Sequence, residues 1–530
     1  MSDGVAPLAG PHRIGLRPGR PFVHRLPVGP DRRIDGVDGL PPGLAVDPSR
    51  RVISGSTGAT GTHMVVVSGS GTAGPWTDTI ELLVGGDICL TPPLGWNSWN
   101  VFGSAVTEED IRRTAMSLIE SGLAACGWST VNIDDGWQGT RDRRGRLQPN
   151  DKFRDLAALC DDLHELGLRV GIYSSPGPTT CAGFVGSADH ETEDAASFAA
   201  WGFDYLKYDW CSAGTIDDAT PLDTLMAPYA RMRDALDRVE RDIVYHVCQY
   251  GFGGVWEWAR DRVGANAWRT TGDIEDAWES VDRIGFGQAD LAGFAGPGGW
   301  NDPDMLVIGA VGGAWDRPIR PTRLTVVEQR THVSLWAILA APLLLGCDLS
   351  RLDGPTLELA TNRELLAVHQ DPLGHQADRV RFKDAIEIWR KPLADGSSAV
   401  GVFNRGDSAV SATVEWRELD LGPTTVRDLW AHRFIDARRL DRANPVPRFG
   451  RAASLVISGA RSVRAAPDCH GRADRPSAVT PIAPRLRSRA AHRGESTSGG
   501  SRGPVGNRRS GPARAHSNSR CGRPRRPRTS

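Results

Sequence analysis

The sequence predicts an α/β fold whose main part is a TIM (β/α)8 barrel. Between residue 94 and about residue 373, short apolar runs of strand length alternate with amphipathic stretches of helical period. Eight such strand–helix units within about 280 residues fit a barrel, which typically takes ~250 residues. No glycine-rich dinucleotide loop follows a strand, which disfavours an open doubly wound sheet.

The barrel elements can be assigned in chain order. The eight strand candidates are residues 94–96, 129–133, 169–173, 205–208, 243–247, 267–269, 299–300 and 343–345. Thr107 followed by Asp110 predicts a capping box at the start of the first long helix, which ends at Gly122. Further helices are predicted over about 156–166 and 191–201. We therefore assign residues 89–378 to the barrel.

The N-terminal part predicts a small β-sandwich-like module over residues 20–88, preceded by an arm at 1–19. Residues 39–48 are rich in glycine and proline, which favours turns. Residues 52–53, 64–67 and 80–84 are short and rich in β-branched side chains. These runs predict strands rather than helices.

A second β domain is predicted at residues 379–432, where Val410, Ala412, Val414 and Trp416 alternate as in an antiparallel strand. After residue 432 the chain is dominated by arginine, proline, glycine and serine. Such a segment cannot bury enough apolar surface to fold, so 433–530 is predicted to be a disordered tail. The domain would then be incomplete, as after a frameshift in GC-rich DNA. Nucleic-acid binding by the basic tail is the alternative.

Composition excludes several classes of protein. The 530 residues are 40% hydrophobic and 24% charged with a net charge of −1, which argues against a nucleic-acid or anionic-membrane partner. No basic region followed by an apolar run opens the chain, and no apolar stretch approaches the ~18 residues of a membrane span. A cytoplasmic protein is the expectation, with secretion as the alternative. Nine cysteines in this length do not make a disulfide framework.

Polar residues recur where the predicted strands end, which in a barrel is the location of the active site. Asp209 follows one such strand and Asp273 follows another. Two carboxylates from separate strands that face one pocket are the smallest set of catalytic groups that can cleave a glycosidic bond. The chain has seventeen tryptophans and six tyrosines, and the flat apolar ring of tryptophan suits the apolar faces of sugars.

Several motifs together resemble glycoside hydrolase family 27, the family of α-galactosidases and α-N-acetylgalactosaminidases. They are Thr-Pro-Pro-Leu-Gly-Trp-Asn-Ser-Trp at 91–99, Asn-Ile-Asp-Asp-Gly-Trp at 132–137, Tyr-Leu-Lys-Tyr-Asp-Trp-Cys at 205–211, Trp-Arg-Thr-Thr-Gly-Asp-Ile at 268–274 and Gly-Pro-Gly-Gly-Trp-Asn-Asp-Pro-Asp-Met-Leu at 296–306. The N-terminal module resembles the immunoglobulin-like modules attached to bacterial glycoside hydrolases.

The resemblance implies a retaining mechanism without a metal or cofactor. Asp209 would be the nucleophile, and Asp273 would protonate the leaving oxygen and then deprotonate water. The two carboxyl groups would lie ~5–5.5 Å apart. Lys207 would favour the charged form of Asp209, and partial burial would give Asp273 the higher pKa.

The resemblance also implies a sugar-binding pocket and a disulfide. Asp134 and Asp135 would accept the 4- and 6-hydroxyls of galactose, and Lys207 and Arg269 would hold ring hydroxyls. Trp99 would pack on the sugar, with Tyr173 and Asp304 completing the pocket. Cys181 and Cys211 match a cysteine pair that is commonly oxidised.

One departure bears on the substrate. Many relatives that act on galactose have Cys-Glu-Trp where this chain has Cys248-Gln-Tyr. Gln249 can still hydrogen-bond a sugar hydroxyl, so terminal α-linked D-galactose is the predicted substrate. The alternatives within the family are α-N-acetylgalactosaminides, β-L-arabinopyranosides and isomalto-dextran.

Three other classes of function stay open from the residues alone. Lys207 could form a Schiff base, as in an aldolase. Asp134, Asp135, Asp302 and Asp304 could bind a metal, although histidine ligands are missing at the strand ends. A damaged C-terminal domain would favour a carbohydrate-binding protein without activity. The predicted partner is a carbohydrate, with no nucleic acid and no membrane, and the sequence does not indicate an oligomeric state.

Overall fold

The computed structural model describes residues 8–216, 220–315, 317–408, 410, 412–422, 425–435 and 454–459. Seven strands form the N-terminal module: β1 (Arg13–Leu16), β2 (Pro21–Arg25), β3 (Arg32–Asp38), β4 (Leu44–Asp47), β5 (Val52–Ser56), β6 (Gly61–Gly71) and β7 (Gly74–Val84).

Two sheets build this module, in the orders β1-β7-β6-β3 and β2-β5-β4. Their inner faces share one apolar cluster that includes Ile53, Val65 and Ile80, all with no exposed surface. Along β6 and β7 buried and partly exposed residues alternate, as expected for strands with one face on a core. The predicted strand segments thus lie in β5, β6 and β7.

Polar contacts join this module to the barrel. Nε of Arg17 forms an ion pair with Oδ1 of Asp242 at 2.5 Å. Nη1 of Arg25 donates to the carbonyl of Leu166 at 2.7 Å, at the end of a barrel helix. The module is therefore held against the outer layer and the N-terminal end of the barrel.

The next twelve strands belong to the region of the predicted barrel. They are β8 (Leu94–Asn97), β9 (Thr130–Asn132), β10 (Gln138–Arg141), β11 (Leu147–Pro149), β12 (Arg169–Ser174), β13 (Tyr205–Asp209), β14 (Val244–Cys248), β15 (Ala267–Arg269), β16 (Trp300–Asp302), β17 (Ala310–Val311), β18 (Arg320–Pro321) and β19 (Leu343–Leu345). β10 pairs with β11 and β17 with β18 as small antiparallel pairs.

The remaining eight strands form one parallel sheet in the order β16-β15-β14-β13-β12-β9-β8-β19. All eight coincide with the strands predicted from the sequence. The amide of Leu306, just after β16, donates to the carbonyl of Leu344 at 2.8 Å, and the amide of Gly346 donates back to Leu306 at 3.1 Å. These two bonds join the last strand of the order to the first, so the sheet is closed and the fold is the predicted barrel.

Nine α-helices accompany these strands. They are α1 (Trp99–Phe102), α2 (Glu108–Glu120), α3 (Leu156–Glu165), α4 (Glu191–Trp201), α5 (Leu222–Asp237), α6 (Trp278–Phe286), α7 (Val326–Ile338), α8 (Gly354–Thr361) and α9 (Arg363–His369) in the described part of the chain. The predicted capping box is present, because Thr107 and Asp110 exchange side-chain and backbone hydrogen bonds at the start of α2. Within the described residues, none of these helices is both long and apolar enough to span a bilayer.

The C-terminal domain is a six-stranded antiparallel sheet. Its strands are β20 (Asp378–Lys383), β21 (Ile386–Pro392), β22 (Ser398–Asn404), β23 (Val426–Asp428), β24 (Arg433–Ile435) and β25 (Ser454–Gly459), in the order β20-β21-β22-β25-β23-β24.

Two predictions for this domain need correction. The boundary at residue 432 is too early, because β25 pairs with β22 from Phe403–Ser454 to Ser398–Gly459 and lies in the middle of the sheet. The expected strand around residues 410–416 is absent from the described residues there. Ala412, Val414 and Trp416 are nevertheless buried in the apolar core, so the alternation reflected burial and not strand geometry. The rest of the predicted tail lies outside the described residues.

An ion-pair network fastens the C-terminal sheet to the barrel. Arg405 forms pairs with Asp282 of α6 at 2.7 Å and with Glu387 of β21 at 2.5 Å. Its guanidinium also lies over the ring of Phe286, 4.6 Å from the centroid. The Glu387 side chain has no exposed surface, so its charge depends on these partners.

We expect Arg405→Ala to lower the free energy of unfolding by about 2–4 kcal/mol, because it leaves a buried carboxylate without its closest cation. Differential scanning calorimetry measures this as a fall in melting temperature. Arg417→Ala is the matched control. Its side chain is 84% exposed and pairs with Glu415 at the surface, so the change should stay within about 0.5 kcal/mol. Equal effects of the two variants would contradict the role assigned to Arg405.

Candidate active site

The parallel register brings the predicted site residues to one end of the barrel. Lys207 of β13 lies opposite Tyr173 of β12, and Asp209 lies opposite Cys248 of β14. Because all eight strands are parallel, the residues at their carboxyl ends share the same rim. Asp209 ends β13 and is 5% exposed. Asp273 follows β15, and its side chain is 67% exposed.

Two phenol groups hold the carboxylate of Asp209. Oη of Tyr173 donates to Oδ2 at 2.9 Å, and Oη of Tyr250 donates to Oδ1 at 2.5 Å. Burial, with the charge of Asp209 next in importance, raises the pKa of both phenols well above the usual range. Both tyrosines therefore stay protonated and act as donors to the carboxylate.

Opposing effects act on the charge of Asp209. Burial raises its pKa above the ordinary value, and the nearby Asp273 carboxylate raises it further. The charge of Lys207 and the hydrogen bond from Tyr250 lower the pKa. Lys207 thus lowers the pKa of Asp209, as predicted. It does so through its electrostatic field and not through an ion pair with Asp209.

Lys207 is ion-paired with Asp134 instead. Nζ lies 2.8 Å from Oδ2 of Asp134. The same oxygen accepts a hydrogen bond from the side-chain amide Nδ2 of Asn97 at 2.8 Å. Burial alone would lower the pKa of Lys207, but the Asp134 carboxylate outweighs it and raises the pKa. A Schiff base requires a neutral amine, so this environment disfavours the aldolase hypothesis.

Asp135 has one satisfied and one unsatisfied oxygen. Oδ2 accepts from the backbone amide of Ala182 at 2.7 Å, whereas Oδ1 is buried without a hydrogen-bond partner among the described residues. Burial raises the pKa of Asp135 to about 7. A buried acceptor without a donor is costly, so a hydroxyl donated by a ligand would be favourable here.

Arg269 connects the acid/base candidate to the floor of the site. Its guanidinium lies 3.1 Å from Oδ1 of Asp273 and 3.1 Å from Oδ2 of Asp304. Oδ2 of Asp304 also accepts the amide of Ile274 at 2.8 Å, which fixes the loop that carries Asp273. Arg269 is engaged with two carboxylates, and the partial burial expected for Asp273 is not observed, because its side chain is 67% exposed.

Trp99 and Gln249 complete the predicted set. Trp99 is the first residue of α1 and is half-buried, which leaves part of its ring accessible beside β8. Gln249 is fully buried, and neither of its amide atoms has a hydrogen-bond partner within the described part of the chain. Its role towards the sugar stays a prediction, since no described contact joins it to the other site residues.

The disulfide between Cys181 and Cys211 is present. It joins the loop after β12 to the residue two positions after Asp209, and Sγ of Cys211 lies 3.4 Å from Oη of Tyr173. Among the described residues, Cys181, Asp209 and Cys211 are the one cluster of potential metal ligands. Their sulfurs are bonded to each other and so are not thiolate ligands.

A closed parallel barrel with a buried, hydrogen-bonded carboxylate and an exposed one at the same rim defines the class of protein as a barrel glycosidase. The comparison with known proteins agrees with this class. The family model described as alpha galactosidase A matches residues 91–371, and the model described as alpha galactosidase C-terminal beta sandwich domain matches residues 383–447.

Similar proteins include curated α-galactosidases. The α-galactosidase of Cyamopsis tetragonoloba is 42% identical over 349 residues, which cover 64% of this chain and 80% of the relative. The α-galactosidase A of Cellvibrio japonicus is 41% identical over 342 residues, covering 62% and 80%. The chain belongs to the α-galactosidase family, glycoside hydrolase family 27.

Solved structures support the same fold. A candidate α-galactosidase from Bacteroides fragilis has a TM-score of 0.78 at 35% identity and covers 86% of this chain and 97% of its own. A family 27 β-L-arabinopyranosidase from Geobacillus stearothermophilus has a TM-score of 0.63 at 26% identity, covering 71% and 98%. The fold therefore occurs in relatives with different named activities.

Sequence reasoning missed two side chains at this site. In the sequence Tyr250 stands out only as a departure from a family motif, yet its hydroxyl donates a hydrogen bond to Asp209. Asn97, in the first motif, orients Asp134. A signal for Tyr250 was available, because it follows β14 at the same rim as the other site residues. Its side-chain direction could not be read from the sequence, since the backbone there has a positive φ of 60°.

We expect reduction of the Cys181–Cys211 disulfide to raise KM several-fold, because it frees the loop whose Ala182 amide holds Asp135. Initial rates with and without a reductant would measure the change. The double variant Cys181→Ala/Cys211→Ala should have the higher KM and no response to reductant. An unchanged KM in the reduced native protein, with loss of the disulfide verified by mass spectrometry, would contradict this role.

Proposed function

We infer that the protein is an α-galactosidase that hydrolyses terminal α-linked D-galactosides with retention of configuration. The observation that carries this conclusion is the pair Asp209 and Asp273 at one rim of the barrel. Asp209 is buried and accepts hydrogen bonds on both oxygens, which suits a group that must be charged to attack. Asp273 is exposed at the mouth, where a leaving group and a water molecule can reach it.

The chemistry proceeds in two displacements. In the first, an oxygen of Asp209 attacks the anomeric carbon while the glycosidic bond breaks and Asp273 gives its proton to the departing oxygen. In the second, water attacks the same carbon, Asp273 takes the proton of the water, and the bond to Asp209 breaks. Two inversions at one carbon give net retention.

The acidic pair Asp134 and Asp135 supports galactose as the sugar. Asp134 already receives donors from Lys207 and Asn97, so its position is fixed. The unsatisfied Oδ1 of Asp135 gains a donor when a sugar hydroxyl binds. Curated relatives at 40–42% identity are named α-galactosidases, which supports the same assignment.

The N-terminal module is proposed to be an immunoglobulin-like support for the barrel. Its two sheets of four and three strands pack on one apolar core, as in a small β-sandwich. Its contacts are with the N-terminal end and outer helices of the barrel, far from the rim that carries Asp209. This location favours a structural role over a contribution to the reaction.

Purified protein is expected to hydrolyse p-nitrophenyl α-D-galactopyranoside, and Asp209→Ala should lower kcat by at least about 10³-fold because the proposed covalent intermediate forms on that carboxylate. Release of p-nitrophenolate measures both rates. Asp290→Ala changes an exposed aspartate and should behave as the native protein does. Substantial turnover by Asp209→Ala would exclude the assigned nucleophile.

Proton NMR of the first product tests the stereochemistry. Retention predicts that α-galactose appears before mutarotation produces the β-anomer. A panel of aryl α-D-galactoside, α-N-acetylgalactosaminide and β-L-arabinopyranoside should give the highest kcat/KM with the galactoside. If the β-anomer appears first, the double displacement is wrong, and if another sugar is faster, the substrate assignment is wrong.

A further inference from the structure

Tyr250 has two features that set it apart from other residues of the site. Its hydroxyl donates to Oδ1 of Asp209 at 2.5 Å, and its backbone has a φ of 60°. That conformation is disfavoured for a residue with a bulky side chain. Strain of this kind persists only where surrounding contacts determine it, and it is concentrated at functional sites.

The surrounding contacts are visible on both sides of the residue. The amide of Gly251 donates to the carbonyl of Arg269 at 3.1 Å, which fixes the turn to β15. A side chain at position 251 would meet the carbonyl of Thr270 at 2.3 Å, so the turn can approach β15 only with glycine there. The guanidinium of Arg269 lies over the Tyr250 ring, 5.6 Å from its centroid.

The two phenols on Asp209 are not equivalent. Tyr173 belongs to β12 and is fully buried, and it contacts Oδ2 beside the disulfide. Tyr250 is partly exposed in the loop after β14 and contacts the other oxygen. Neither group carries a charge, so each stabilises the carboxylate by a hydrogen bond and not by an ion pair.

We propose that Tyr250 is a positioning residue for the nucleophile, and that its hydroxyl stabilises the Asp209 carboxylate as that carboxylate leaves the anomeric carbon in the second displacement. The inference rests on the double displacement proposed above.

The expected consequence differs between the two steps. In the glycosyl-enzyme the Asp209 oxygens are those of a neutral ester, so the hydrogen bond from Tyr250 is weak. When water attacks and the ester bond breaks, the electron pair returns to Asp209 and the hydrogen bond becomes charge-assisted. Removing the hydroxyl therefore makes Asp209 a poorer leaving group. The first step suffers less, because an uncompensated carboxylate is also a stronger nucleophile.

A pH effect follows in the free enzyme. The titratable and charged groups around Asp209 include Tyr173, Tyr229, Tyr250, Lys207, Cys248, Asp134, Asp135 and Asp273. The Tyr250 hydrogen bond favours the charged form, so its loss raises the pKa of Asp209. Activity requires the carboxylate, so the acid limb of kcat/KM should move towards higher pH.

The test compares native protein with Tyr250→Phe on an aryl glycoside with a dinitrophenyl leaving group, which makes the second step rate-limiting. We expect kcat to fall about tenfold, with KM falling too, so that kcat/KM at its pH plateau changes little. Native protein and variant should both show a burst of dinitrophenolate and, by intact-protein mass spectrometry of a quenched reaction, one hexosyl residue on the protein, but the steady-state phase after the burst should be slower in the variant. The acid limb should move up by about one pH unit.

Tyr208→Phe is the matched control, because it removes a buried phenol next to Asp209 in the chain without removing a hydrogen bond to that carboxylate. It should keep the native kcat, KM and pH profile. Equal falls in kcat and kcat/KM in Tyr250→Phe, without a shift of the acid limb, would overturn the proposal. A wrong sugar assignment would appear in the rates of native protein across the panel, whereas a wrong role for Tyr250 would appear only in the ratio of variant to native rates.

Discussion

Burial of the Asp209 carboxylate at the end of β13 removes hydration that the protein must replace with donors and charges. The replacement comes from both neighbouring strands and their loops: Tyr173 from β12, Tyr250 after β14, and the field of Lys207 on β13 itself. Lys207 is kept at a distance by its own partner, Asp134, and still lowers the pKa of Asp209.

Arg269 is a second buried charge of the site whose partners are other charged groups. This buried cation has Asp304 and Asp273 as partners, so the acid/base candidate is placed by a charge that belongs to the floor of the site. The buried cation and the carboxylates around it therefore satisfy each other's charges.

Much of the fold could be predicted, because apolar strands separated by amphipathic helices leave a clear period in the sequence. The eight barrel strands, the capping box at Thr107 and helix α4 follow from local pattern alone. Sheet membership far along the chain could not be read this way, because β25 is a short strand in an arginine-rich region and is identified by its pairing with β22 and β23. Residues 412–416 show the opposite case, in which alternating burial occurs without strand pairing.

At the site, residue types at strand ends indicated the chemistry. The pairing of Lys207 with Asp134 and the reach of Tyr250 depend on side-chain directions that no sequence period encodes.

The closure of the barrel has a consequence for the site. Between β16 and β19 the two ends of the sheet are joined by the backbone of one loop residue, Leu306, whereas the other neighbours in the sheet pair as regular strands. Leu306 is two residues from Asp304, which holds the amide of Ile274 next to Asp273. One short segment of backbone therefore both closes the barrel and positions the loop that carries the proposed proton donor.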